Sequence, residues 1–276
     1  MILIDLHIHS RCSDGTLSPA SLAELARRRR VSVVALTDHD TTSGQEEFRR
    51  ACARAEVQSL TGVELSAEAP YTLHILGYRI NPHDVPLQTA LQEIRVYRDE
   101  RNETICRRLR EAGCAVDLEE VEREAGGEVV ARPHMARVLV RKGYVPNLLD
   151  AFARYLGRDG VAYVPRRRLS PAHCLRLIRE SGGFPVLAHP GQTNLDDDAL
   201  DDLLRKLTDE GLWGLECLSS HHSSETIFRY LERASRFGLY PTAGSDFHGE
   251  NRPGVDLGVP VSEDLLPWAR LGIRLG

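Results

Sequence analysis

Short apolar and β-branched runs alternate along the chain with longer stretches whose apolar residues recur at helical spacing. The runs are ILIDLHI, VSVVALT, SLTGVEL, YTLHILGY, FPVLAH, LWGLECL and YPTAGSD. Helices are predicted between them, opening at Ser18-Pro19 and covering about 42–55, 196–210 and 223–237. Because the runs are nearly continuous in apolar character, they predict a buried parallel sheet. About seven strands alternating with helices indicate an α/β fold, close to a distorted (β/α)7 barrel.

The strand–helix rhythm breaks over residues 81–181. Residues 87–112 predict one long, highly charged helix, and shorter helical pieces follow it. We interpret 81–181 as an inserted helical domain that caps the active-site face of the barrel. The barrel domain is then formed by residues 1–80 and 182–276.

Histidines and carboxylates follow nearly every predicted strand. Residues two apart in a strand point to the same face, so His7 and His9 lie side by side. The carboxyl ends of barrel strands form one face, and active sites of such barrels lie there. The side chains expected to converge on that face are His7, His9, Asp38, His39, Asp40, Glu64, His74, His189, Glu216, Asp246 and His248.

Composition narrows the class of protein. Hydrophobic residues make up 42% of 276 positions, which is ordinary for a globular protein, and no apolar run approaches the roughly 18 residues of a membrane span. The start MILIDLHIHS lacks the features of a signal peptide. Six cysteines without a C-x-x-C spacing fit reduced thiols in the cytoplasm. The net charge of −5 means that any anionic ligand must be held locally.

The motifs resemble those of one known family. DLHIHSRCSDGT, ALTDHDT, GVELS, LHILGY, VLAHPG and GSDFHG occur here in the order kept by the PHP (polymerase and histidinol phosphatase) superfamily. VVARPHMARVLVRKGYV resembles the insertion of one branch, whose members remove the 3′-phosphate of nucleoside 3′,5′-bisphosphates or trim RNA from its 5′ end. The resemblance implies a TIM-like PHP barrel and a metal-dependent phosphoesterase.

The resemblance also implies three metal sites. The first would use His7, His9, Glu64 and Asp246. The second would share Glu64 and add His74 and His189. The third would use Asp14, His39 and His248. Imidazole and carboxylate without thiolate suit Mn²⁺, Fe²⁺ or Zn²⁺, so we expect two or three divalent transition metals, Mn²⁺ first. Phosphate monoesters hydrolyse extremely slowly without a catalyst, which explains the need for such a cluster.

Four further residues are expected to contact substrate, and two to support ligands. Arg132 offers a fork of donors that fits two phosphate oxygens. Asp38 and Asp40 flank His39 and are expected to support imidazole N–H groups. Glu216 is interpreted either as such a support or as a ribose contact. The expected substrate contacts are Arg132, His134, Glu216 and His221.

Three alternatives remain at this point. A histidinol-phosphate or other small-metabolite phosphatase would use the same metals. A deaminase-type amidohydrolase also begins with H-x-H, but many need a strand-end lysine, and Lys142 and Lys206 lie in helical stretches. A non-enzymatic binding module with a decayed PHP site should lack ligands, and here every position is filled. The expected partner is a small nucleotide or a short RNA, with no membrane and no obligate protein partner.

Overall fold

Each of the seven apolar runs forms a strand of one sheet in the computed structural model, which describes residues 1–126 and 129–274. A short eighth strand joins them. The strands are β1 (Ile2–Ile8), β2 (Val33–Leu36), β3 (Gln58–Ser66), β4 (His74–Tyr78), β5 (Phe184–Leu187), β6 (Gly214–Leu218), β7 (Tyr240–Ala243) and β8 (Val259–Val261). Their order is β7-β6-β5-β4-β3-β2-β1-β8. A bridge between Ile8 and Phe247 brings β1 against the end of β7, so the sheet is a nearly closed barrel, as predicted.

The direction of β4 differs from the predicted parallel sheet. β1, β2 and β3 are parallel to one another, as are β5, β6 and β7, but β4 runs antiparallel to both β3 and β5. Only residues 67–73 join β3 to β4, too few for the helical crossover that a parallel pair needs. The first residue of β4, His74, therefore pairs with the last residue of β3, Ser66.

Several of the helices begin where the sequence places a capping residue. They are α1 (Pro19–Arg28), α2 (Gln45–Ala55), α3 (Val85–Glu111), α4 (Leu118–Ala125), α5 (Arg132–Arg141), α6 (Leu148–Ala151), α7 (Pro171–Glu180), α8 (Asp197–Asp209), α9 (Ser224–Arg236) and α10 (Trp268–Leu271). Ser18, Ser170 and Ser223 each accept a hydrogen bond from a first-turn backbone N–H. Across the described residues, none of these helices is both long enough and apolar enough to cross a bilayer.

The chain separates into two units, which we call the barrel unit (1–89 with 168–276) and the helical unit (90–167). The predicted insertion, 81–181, is longer than the helical unit at both ends. The C-terminal part of the predicted insertion belongs to the barrel unit because α7 packs against β4 and β5. The core of the helical unit contains residues of α3 and α5, among them Ile105, Leu109, Met135 and Leu139.

The two faces of β1 differ in chemistry. Ile8 packs outward with Leu22 and Phe48 in the core beneath α1 and α2. His7 and His9, on the opposite face, are also fully buried. The alternation of the strand therefore gives the barrel a polar interior at the end where the site lies.

Candidate metal centre

Glu64, in the second half of β3, lies at the centre of a cluster of imidazoles. Its carboxylate is completely buried. The Oε2 atom is 3.3 Å from His7 Nε2, 3.2 Å from His9 Nε2 and 3.0 Å from His39 Nδ1. One carboxylate oxygen thus faces three imidazoles that come from the ends of β1 and β2.

The other oxygen of Glu64 faces a second pair of imidazoles. Oε1 is 3.0 Å from His74 Nδ1 and 2.9 Å from His189 Nε2. His74 reaches this position because β4 is antiparallel, and the backbone N–H of Ala188 donates to the carbonyl of His74 (3.1 Å). The carboxylate therefore stands between two groups of ring nitrogens, which is the arrangement of a bridging ligand.

Asp246 completes the first group. Its Oδ1 atom is 3.5 Å from His7 Nε2, 3.3 Å from His9 Nε2 and 3.5 Å from His248 Nδ1. The residue adopts a φ of +59°, a left-handed conformation that is uncommon for a side chain other than glycine. Its backbone N–H donates to the carbonyl of His7 (2.9 Å), which ties the end of β7 to β1.

Asp14 forms the more open side of the cluster. Its Oδ1 atom is 3.3 Å from His248 Nε2 and 3.7 Å from His9 Nδ1, and its Oδ2 atom is 3.8 Å from His39 Nε2. The side chain is 36% exposed, whereas Glu64 is inaccessible. The group around Asp14 is therefore the one nearest to solvent.

The structure brings all nine predicted ligands into one cluster. The ligand atoms form three sets, and within each set all of the atoms lie within 4.8 Å of one another. They are His7/His9/Glu64/Asp246, His9/Asp14/His39/His248 and His39/Glu64/His74. His189 lies outside these sets but touches Glu64, as described above. Sets of this composition can hold divalent metal ions.

Several atoms of the cluster lack hydrogen-bond partners. Among the described residues, His7 Nε2, His9 Nε2, His39 Nδ1 and Glu64 Oε2 are buried without one. A buried polar group left in this state costs roughly 1–3 kcal/mol.

Although burial by itself lowers the pKa of His9, the Asp246 and Glu64 carboxylates raise it to about 10. Burial raises the pKa of Glu64, but the surrounding imidazoles hold it well below its usual value. The cluster thus favours cationic charge at its centre.

The supports of the cluster differ in part from those expected. Glu216 is buried, with Oε1 2.9 Å from His7 Nδ1 and Oε2 accepting from the backbone N–H of His189 (2.6 Å). Asp38 instead holds the loop after β1, accepting from both the N–H and hydroxyl of Ser10 (2.7 Å each) and from Ser13. This arrangement replaces the expected imidazole support by Asp38, because the turn after β1 presents its donors to that carboxylate.

The remaining predicted residues are divided between the two units: Asp40 and His221 are in the barrel unit, and Arg132 and His134 are in the helical unit. Asp40 Oδ1 accepts from the backbone N–H of Ser66 (3.0 Å). His221 is exposed on the loop after β6. In the helical unit, Arg132 donates to the Leu156 carbonyl (2.9 Å), and His134 Nδ1 accepts from the N–H of Ala131 (3.2 Å) at the start of α5.

Arg132 is held by more than this hydrogen bond. Its guanidinium carbon lies 6.0 Å from the ring centre of Phe152 and 5.7 Å from that of Tyr163. Burial lowers the pKa of this arginine, although a guanidinium remains charged. The side chain is therefore fixed between two aromatic rings within the helical unit.

Three polar residues of the site were missed by sequence reasoning. Asp5 is buried beneath the cluster and accepts from the hydroxyl of Ser245 (2.6 Å). Its position two residues before H-x-H in an apolar run was a usable signal. Gln192 and Arg252 both donate to Asp246. They lie in loops, where no sequence pattern indicates which polar residue will contact a ligand.

Known proteins resemble this chain in sequence and in structure. A family model described as the PHP domain matches residues 5–156. A 3′,5′-nucleoside bisphosphate phosphatase from Chromobacterium violaceum is 36% identical over 100% of this chain and 98% of its own length. The 5′-3′ exoribonuclease Rnm of Escherichia coli is 33% identical over 93% of this chain and 88% of its own. The structure of a candidate metal-dependent phosphoesterase from Bifidobacterium adolescentis superposes with a TM-score of 0.76 at 29% identity, covering 95% of this chain and 91% of that one.

Proposed function

This chain belongs to the PHP domain family and is a metal-dependent phosphoesterase, and on that premise we propose that it hydrolyses phosphomonoesters of nucleotides. The preferred substrate in this proposal is the 3′-phosphate of a nucleoside 3′,5′-bisphosphate. The observation that carries it is the complete ligand cluster around Glu64, in a chain that aligns over its whole length with a bisphosphate phosphatase.

The residues of the cluster fit divalent metal ions. The unpartnered imidazole nitrogens and the Glu64 oxygen are buried and lie close together, and a metal ion would satisfy them at once. His7, His9, Glu64 and Asp246 would hold a first ion, His74 and His189 with Glu64 a second, and Asp14, His39 and His248 a third. We propose Mn²⁺ as the ion used, with Fe²⁺ or Zn²⁺ as alternatives, because the donors combine imidazole with carboxylate.

The chain's own residues contribute orientation and charge. Bound ions would supply Lewis-acid activation of water and neutralise the charge of the phosphate. Glu216 holds the ring of His7 and the backbone of His189, so it would keep both imidazoles in place. In this proposal Arg132 binds the phosphate that is not attacked, His134 supports the start of α5 beside it, and His221 contacts the leaving group.

A second substrate class is a short RNA with a 5′-phosphate. The observation that favours it is the alignment with the E. coli exoribonuclease over most of both chains. A nucleoside bisphosphate and an RNA end share a phosphate beside a ribose, and the same cluster could act on either. The experiment below separates them.

The test is a screen of phosphate release by the full chain with added Mn²⁺. The substrates are nucleoside 3′,5′-bisphosphates, short 5′-phosphorylated RNA, histidinol phosphate and sugar phosphates; nucleotide release is followed for the RNA. We expect the highest kcat/KM on a bisphosphate and loss of activity after exhaustive chelation. A maximum on histidinol phosphate would contradict the nucleotide assignment, and activity that survives chelation would contradict the metal requirement.

A further inference from the structure

The two oxygens of the Asp246 carboxylate face different surroundings. Oδ1 faces the imidazole cluster. Oδ2 accepts from Gln192 Nε2 at 3.3 Å and from Arg252 Nη1. Gln192 lies in the 3₁₀ turn after β5, and Arg252 follows the 3₁₀ turn after β7. A single carboxylate therefore separates the Arg252 guanidinium from the proposed metal centre.

Most of the guanidinium is left available. Within residues 1–126 and 129–274, neither Nη2 nor Nε of Arg252 forms a hydrogen bond or ion pair. The Arg252 side chain is 33% exposed, compared with 8% for Asp246. Burial and, next, the Arg252 charge lower the pKa of His221, so the guanidinium lies within electrostatic reach of that exposed loop residue. The guanidinium is therefore partly exposed and lies beside Asp246, at the edge of the cluster.

The charge balance of this arrangement favours an anionic ligand. The cluster is proposed to take up two or three divalent cations, and Arg252 adds a further positive charge beside it. The proposed ligands Asp14, Glu64 and Asp246 supply three negative charges, so two divalent ions together with Arg252 leave an excess of positive charge. A dianionic phosphate can pair with the metal side and with the guanidinium at the same time.

We propose that Arg252 binds the phosphate under attack through the free edge of its guanidinium, while its Nη1 atom is held by Asp246. The inference rests on the proposed phosphoesterase function and adds a substrate-binding residue from the barrel unit. The bond to Asp246 fixes the side chain before substrate arrives, so less conformational entropy is lost when phosphate binds. The planar fork of an arginine fits two phosphate oxygens, which a lysine cannot reproduce.

The test uses inorganic phosphate as the probe on the full chain loaded with Mn²⁺. Its dissociation constant is measured by titration calorimetry for wild type, Arg252→Ala, Arg252→Lys and a control, Arg29→Ala. Arg29 is also paired with an aspartate, Asp256, on the surface of the barrel unit. Metal content is measured in parallel by mass spectrometry after dialysis.

We expect Arg252→Ala to weaken phosphate binding by about 10- to 100-fold, the effect of losing hydrogen bonds to a charged group. Arg252→Lys should be intermediate, Arg29→Ala unchanged, and metal content equal in all four. Unchanged phosphate affinity in Arg252→Ala would overturn the inference. So would a matching loss of metal, because Arg252 would then act only by holding Asp246. A wild type that binds phosphate through Arg252 but hydrolyses none of the screened substrates would refute the proposed function and leave only the phosphate-binding role of Arg252.

Discussion

At the scale of single residues, the site depends on buried side chains that hold one another in place. Glu64 makes the most contacts, since its two oxygens lie 2.9–3.3 Å from five imidazole nitrogens. His7 is oriented in turn by Glu216 on its other ring nitrogen. His7 therefore has its Nε2 atom available for the centre, and the Glu64 carboxylate sets where that centre lies.

The first prediction concerns Glu64→Gln. The amide keeps the size of the side chain but removes the negative charge between the two groups of imidazoles. We expect the amount of bound metal to fall and kcat/KM to drop by more than about 100-fold. Mutation of a residue that only supports a metal ligand costs up to about 100-fold, and Glu64 is itself a proposed ligand. Metal analysis and phosphate-release kinetics measure both. The control is Glu68→Gln, an exposed glutamate shortly after β3; normal metal content in Glu64→Gln would contradict the bridging role.

The second prediction concerns Arg132→Ala. If Arg132 binds the distal 5′-phosphate, its removal should lower kcat/KM on a nucleoside 3′,5′-bisphosphate by about 10- to 100-fold. A 3′-mononucleotide, which lacks that phosphate, should be affected little, and metal content should not change. Arg137→Ala on the same helix is the control, because Arg137 is paired with Glu124. Equal losses on the two substrates would show that the 5′-phosphate is not what Arg132 binds.

At the scale of secondary-structure elements, the close approach of strands decides the shape of the site. β7 ends beside β1, and position 244 has room only for hydrogen. A Cβ added at Gly244 would lie 2.3 Å from His7 Cβ and 2.6 Å from Glu216 Oε1. Glycine is therefore required at position 244, because any side chain there would collide with the proposed metal ligand His7 and with Glu216, which orients it.

The third prediction follows from this contact. Gly244→Ala should displace His7 and Glu216, lowering metal content and reducing stability by about 1–3 kcal/mol, as overpacking does. The comparison is Asp196→Ala, which removes the N-cap of α8, where Asp196 accepts from Ala199 N–H at 2.9 Å. That variant should lose about 1 kcal/mol and keep its metal. Denaturant unfolding and metal analysis separate the two effects; full metal content in Gly244→Ala would argue against the packing argument.

At the scale of the whole molecule, burial extends to nearly all of the thiols. Five of the six cysteines are buried, and only Cys12 is partly accessible. Burial raises the pKa of the Cys52 thiol to about 12 and that of Cys106 to about 11. The buried thiols are therefore shielded from reagents, and Cys52 and Cys106 are in addition disfavoured as thiolates.

The fourth prediction is that a thiol reagent titrates no more than about one cysteine per native chain near pH 8 and all of them after denaturation. The native reaction should disappear in Cys12→Ser. Rapid reaction of several thiols in the native protein would mean that the cores open more readily than their packing implies.

The fifth prediction is the pH dependence that Cys52 confers. Its folded pKa of about 12 lies above the ordinary value of 9.0, so its contribution to stability is complete below pH 9 and is lost as the pH rises towards 12. The melting temperature of the wild type should therefore fall more steeply above about pH 9 than that of Cys52→Ala. Parallel pH profiles for the two proteins would exclude this contribution.

The sequence by itself determined the local features of this protein. Short apolar, β-branched runs located the seven longer strands, and helical spacing located the long helix α3, because both signals depend only on residues close together along the chain. The ordered motifs also indicated the nine ligands that the structure brings together. The direction of β4, the limits of the helical unit, and the contacts of Glu216, Gly244 and Arg252 came only from the tertiary structure. Glu216 lies 209 residues from His7 along the chain, and which distant residues share a buried space is decided by packing, which no local pattern records.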